Sequence, residues 1–86
     1  MYLWGKIKLG DLMTNSKHID IYNIIGLNIK KYRKLKGITQ RTLSEALLLS
    51  ESFIAKLESN TYQTISIDTL LLIANYLDVD IACFFY

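Results

Sequence analysis

Two charged residues stand where spacing calls for apolar ones. Arg33 follows Ile29 by four residues, as Ile29 follows Ile25, and Glu58 follows Ile54 by four. On helices, that spacing puts each charge on the apolar stripe of its own element. A buried guanidinium or carboxylate is very costly unless it is paired and hydrogen-bonded. Two opposite charges on inward stripes of neighbouring helices therefore predict one another as partners. Such a pair would pin the helix of Glu58 against that of Arg33 and fix the angle at which it projects. The competing arrangement lets both side chains snorkel to solvent; the spacing favours the pair.

The remaining charges segregate. Between Asn23 and Gln63 there are seven bases (Lys30, Lys31, Arg33, Lys34, Lys36, Arg41, Lys56) against three acids (Glu45, Glu51, Glu58). From Thr64 onward there are three acids and no base. Net charge is only +2, but this distribution can offer one positive face to a polyanion. The plainer alternative, that Lys30–Lys36 is only the solvated side of a helix, is about as well supported by charge alone. Catalytic chemistry has no candidate: His18 is isolated, without Cys, Asp or Glu at metal-ligand spacing, and reads as a surface histidine. No nucleophile–base pairing, phosphate-cradling glycine loop or carboxylate pair is present, so no enzyme, metal or cofactor is expected.

Eighty-six residues, 51% of them apolar and none of them proline, allow one small core and suit an all-α fold with short connections. The single cysteine, Cys83, fits a reducing compartment, where it would be a small buried hydrophobe. No apolar run is long enough to span a membrane, and residues 1–13 lack the features of a secretory signal. A cytoplasmic, globular protein is the expectation.

The elements that must hold these residues are well punctuated after Asn23. Residues 1–22 read as an N-terminal extension of unknown order. Within it, Lys6-Ile7-Lys8-Leu9 alternates with a weak strand period, and Met13 is an alternative start. The domain proper is expected over 23–86. Its first helix is predicted over Asn23–Lys36 and stopped by Gly37, with a basic last turn complementing the dipole. Thr39 caps a second helix that turns Leu43, Ala46 and Leu47 inward. Ser50 caps a third, burying Ile54 and Leu57 and fading near Asn60, and a polar loop covers Thr61–Ile65. Ser66 caps a fourth whose apolar face is Ile67, Leu70, Leu71, Ala74 and Leu77. A last short helix starts at Asp80 and ends in Phe84-Phe85-Tyr86, a core plug or a dimer contact. The prediction is a compact five-helix bundle.

Only Leu48 and Leu49 separate the second helix from the cap of the third. That is the spacing of a helix-turn-helix over 40–59, whose second helix can enter a groove about 12 Å wide. Three leucines at this turn are expected to leave one exposed. The run Ile25-Gly26-x-x-Ile29-x-x-x-Arg33-x-x-x-Gly37-Ile38-Thr39-Gln40-x-x-Leu43 resembles the Cro and phage-repressor (Xre, lambda-repressor-like) helix-turn-helix family. So do Ser50-x-x-x-Ile54-x-x-Leu57-Glu58 and Ser66-x-x-Thr69-Leu70-x-x-Ile73-Ala74-x-x-Leu77-x-Val79. The likeness covers about Ile24 to Phe84.

The resemblance implies a five-helix domain that binds operator DNA, usually as a two-fold dimer. By position it implies that Gln40, with Arg41 beside it, meets phosphate at the start of helix two. It sets Glu51, Ser52, Ala55 and Lys56 toward the bases, with Lys56 reaching guanine and Glu51 accepting from cytosine. Ser50 would touch phosphate through its cap region, and Thr61, Tyr62 and Gln63 would touch the sugar–phosphate backbone; Tyr62 could equally cover a helix end. Arg33 and Glu58 match the family's buried ion pair. Leu48 stands where the family holds a glycine and would be strained at positive φ, Ser44 replaces a close-packing alanine, and Asn60 replaces a helix-closing glycine. The reading is a sequence-specific regulator of repressor type on double-stranded DNA. The alternative is the same fold used for protein contact, as an antitoxin or accessory partner of a larger regulator, which the weakly basic third helix and the apolar N- and C-terminal ends favour.

Overall fold

The computed structural model describes residues 2–4, 7–8 and 17–86. A short antiparallel ribbon pairs β1 (Tyr2–Trp4) with β2 (Ile7–Lys8), so part of the alternating run is strand. Then follow α1 (Lys17–Leu35), α2 (Gln40–Leu47), α3 (Glu51–Glu58), α4 (Ile67–Leu77) and a 3-10 helix (Ile81–Phe85). The helical domain thus has four α-helices, and its fifth element is a 3-10 turn rather than an α-helix. Met13 lies outside the described residues, and so does the His18 side chain, although His18 falls on the first turn of α1.

α1 begins at Lys17, ahead of the predicted Asn23. No glycine or proline interrupts residues 17–25, so nothing stops the helix from running back beyond Asn23. Its other end closes as expected. Gly37 sits at φ 69, its N–H donates to the Lys34 carbonyl at 3.0 Å, and Ile38 N–H donates to the Arg33 carbonyl at 3.0 Å. This is a Schellman ending. The same pattern closes α2 on Leu48 (φ 57) and α4 on Asp78 (φ 56), with Leu49 N–H reaching Ser44 and Val79 N–H reaching Ala74. Each later helix opens on the expected cap. Thr39, Ser50 and Ser66 accept from the backbone N–H three residues on, and Asp80 from that of Ala82.

The core is Ile25, Ile29, Leu43, Ile54, Leu57, Leu70, Ile73, Ala74, Leu77 and Phe84. Side chains of this size contribute roughly 1.5–3 kcal/mol each when fully buried. Two faces differ from expectation. On α2, Ala46 is exposed and Leu47 only half-buried, while Ser44 is buried, its hydroxyl satisfied by the Arg41 carbonyl at 2.8 Å. On α4, Ile67 and Leu71 are exposed and Ile73 is fully buried. Ile73 lies three residues after Leu70 and four before Leu77, at the centre of the stripe, which moves Ile67 and Leu71 to its flank.

Candidate nucleic-acid interface

α3 is held against the body by three separate contacts. Its apolar face, Ile54 and Leu57, is in the core. Behind it, α1 passes so closely at Gly26 that a Cβ there would overlap the Leu57 carbonyl oxygen and stand 2.8 Å from its carbon. Backbone meets backbone at this crossing, which explains a glycine inside a helix despite its cost of about 1 kcal/mol relative to alanine.

The third contact is ionic. Arg33 Nε donates to Glu58 Oε2 and Nη2 to Oε1, both at 2.7 Å, and the two side chains are 9% and 2% exposed. Arg33 Nη1 donates to the Ile38 carbonyl at 2.8 Å. The fork therefore ties α3 to both α1 and the turn that follows it. Hydrogen bonding to Glu58 raises the Arg33 pKa above its ordinary value and outweighs the opposing effect of burial. Gln40 completes the cluster by donating from Nε2 to Glu58 Oε1 at 3.0 Å.

With one side of α3 held this way, the other side is free. Glu51, Ser52 and Lys56 are exposed and Ala55 is half-buried. Ser50 caps the helix through Phe53 N–H at 3.0 Å and is itself exposed. Beside this surface a basic hollow between the end of α1 and the start of α2 is lined by Lys34, Gln40, Arg41 and Glu51, among others. Arg41 reaches across the α2 surface to Glu45, Nε to Oε2 at 3.6 Å, with both side chains largely exposed. An exposed pair of this kind contributes little to stability and leaves the guanidinium available. Glu51 shares the hollow with these cationic groups, so the acidic opening of α3 lies beside positive charge.

Thr61 and Tyr62 are exposed after α3, and Gln63 is half-buried with its amide on the Thr64 carbonyl at 3.0 Å. Asn60 and Tyr62 are both left-handed, at φ 62 and 58. Tyr62 also covers part of α1: its ring meets that of Tyr22 edge-on at 5.5 Å, and its N–H donates to Asn23 Oδ1 at 3.0 Å. Gly26, Ser44 and Asn23 were given no such roles by residue spacing. Gly26 carried a signal as a glycine in mid-helix, and Ser44 as the replacement of a close-packing alanine; Asn23 carried none.

A family model described as helix-turn-helix matches residues 29–82, well over half of the chain. The chain belongs to this family. It is a helix-turn-helix protein of the Cro and phage-repressor type, a DNA-binding regulator in general terms. No curated protein matches the chain. In this helix-turn-helix protein α2 and α3 are joined by a short connection that begins at left-handed Leu48. Among the described residues no group of His, Cys, Asp and Glu is placed to hold a metal ion, and no helix is long and apolar enough to cross a membrane.

Proposed function

We propose that the protein is a sequence-specific repressor that occupies a short operator in the cytoplasm and inserts α3 into the major groove. The observation that carries this reading is the two-sidedness of α3. Ile54, Leu57 and Glu58 are buried, while Glu51, Ser52 and Lys56 on its opening turns are exposed. Lys56 reads guanine O6/N7, Glu51 accepts from cytosine N4, and Ser52 and Ala55 contact neighbouring base edges. Gln40, Arg41 and Ser50 hold phosphates at the two helix starts, and Thr61, Tyr62 and Gln63 hold the backbone beyond α3. The Gln40 amide retains a second hydrogen for phosphate while the first is given to Glu58.

The operator is read by a homodimer, with two copies of α3 one DNA turn apart, about 34 Å. Exposed apolar groups at the end of the 3-10 helix, Phe85 and Tyr86, supply the contact between copies. The deciding experiment is equilibrium binding to a duplex selected from a randomised pool, over a range of salt. Each phosphate neutralised by a cation contributes roughly −0.9 to the log–log slope, so Arg41 from each of two copies gives a slope of roughly −2. A flat response rejects groove binding.

A second reading, a protein-interaction module such as an antitoxin, is favoured by one observation. An apolar hollow of about 230 Å³ opens between the start of α1 and α4, lined by Ile21, Tyr22, Ile67 and Phe85 among others. Under that reading the hollow takes a partner protein, and DNA affinity stays at the level of non-specific binding.

A further inference from the structure

The first half of α1 lies outside residues 29–82, which the helix-turn-helix family model matches. Two of its residues nevertheless converge on the loop that leaves α3. Asn23 Oδ1 accepts the Tyr62 N–H at 3.0 Å, and the neighbouring Tyr22 ring meets the Tyr62 ring edge-on at 5.5 Å. Tyr62 is held there at φ 58, a region that bulky residues adopt rarely. Backbone in such a conformation persists only where its surroundings over-determine it, and such sites cluster at functional positions. The start of the same loop is fastened separately. The Ser59 hydroxyl donates to the Lys56 carbonyl at 2.9 Å, and the Thr61 hydroxyl, 3.3 Å from that carbonyl, lies 2.9 Å from the Ser59 oxygen, to which it can donate instead. One anchor therefore belongs to α3 and the other to α1, and the loop is stretched between them.

We propose that Asn23 is a positioning residue for the DNA backbone. By holding Tyr62 N–H, it sets where Thr61, Tyr62 and Gln63 present their polar groups to the sugar–phosphate chain flanking the groove that α3 enters. This rests on the DNA-binding reading and extends the interface to a residue outside the matched region. Asn23 itself makes no contact with DNA in this arrangement. Its effect is to order the loop before binding, so that the ordering is not a cost of complex formation. Thr61, Tyr62 and Gln63 carry no charge, so they hold the backbone by hydrogen bonds without displacing counterions as a lysine would.

The test uses the full chain with a selected duplex and a random one, each over a salt series. Asn23→Ala should weaken both duplexes by the same factor, about five- to tenfold, the worth of one neutral hydrogen bond or slightly more. The salt slope should not change. In a background carrying Thr61→Ala and Gln63→Ala, the same substitution should cost less than about twofold, because a loop without those side chains has little left to present. Equal losses in the two backgrounds, or no loss in either, overturn the proposal. Amide exchange tests the positioning without DNA. The Tyr62 amide should exchange faster in Asn23→Ala while Ile54 and Leu57 keep their protection, and Asn23→Asp, which keeps the acceptor, should restore it. A Tyr62 amide indifferent to both substitutions also overturns the assignment. If the unaltered chain binds neither duplex above background, the DNA-binding reading falls and this proposal with it. If it binds and Asn23→Ala binds equally well, only the role of Asn23 falls.

Discussion

Arg33 and Glu58 show how much a single pair can decide. Their bidentate contact is buried, and truncating one partner would leave the other charged and alone. Arg33→Ala is expected to lower stability by roughly 3–5 kcal/mol, measured by urea denaturation. An unchanged midpoint would mean that Glu58 finds solvent at no cost. Gly26 is a steric counterpart. Gly26→Ala drives a methyl into the Leu57 carbonyl and is expected to cost about 1–3 kcal/mol or more, as overpacking against backbone does. A variant as stable as the parent would show that α1 and α3 can separate there without loss. On the exposed side, Lys56→Ala should relax discrimination at one base pair by about 1–3 kcal/mol, while Gln40→Ala should weaken all sequences alike. Identical effects of the two substitutions on selected and random DNA would remove the distinction between reading and anchoring.

Among the elements, the turn between α2 and α3 is the least ordinary. Leu48 holds a left-handed conformation suited to glycine and is 93% exposed. The Schellman hydrogen bond from Leu49 N–H to Ser44 is nonetheless formed, at 2.9 Å. Tertiary contacts through half-buried Leu47 and Leu49 hold the turn closed, at a conformational cost of about 1 kcal/mol in Leu48 itself. Leu48→Gly should therefore raise stability by about 0.5–1 kcal/mol, read as a higher denaturation midpoint with the same slope. A lower midpoint would mean that the flexibility glycine adds to the unfolded chain outweighs the relief of strain.

For the whole molecule, the separation of charge matters more than its sum. Seven of the ten bases lie from Lys30 to Lys56, and the chain after Thr64 carries only acids. Lys34 and Arg41 from the basic part line the hollow beside the exposed side of α3. The apolar hollow of Ile21, Tyr22, Ile67 and Phe85 forms at the junction of α1, α4 and the 3-10 helix. If the protein binds its operator as a dimer, protection should repeat with a spacing of 10–10.5 base pairs between half-sites, as in other helix-turn-helix dimers. A single protected half-site at saturating protein would show that one copy acts alone.

The caps Thr39, Ser50 and Ser66, the stop at Gly37 and the pairing of Arg33 with Glu58 were all legible in the chain. Each depends on residues three to five apart or on the cost of an unpaired buried charge, and neither needs a fold to be known first. The choice between Ser44 and Ala46 for burial, the place of Ile73 at the centre of the α4 stripe, and the reach of Asn23 to Tyr62 were not legible. Those depend on which way a helix is rotated against its neighbours, and rotation is settled only when all the elements pack together. Sequence alone thus determined where the first helix stops, where the later ones are capped and which charges pair, while the tertiary structure decided how far back the first helix reaches, which face of each looks inward and which loop the first helix holds.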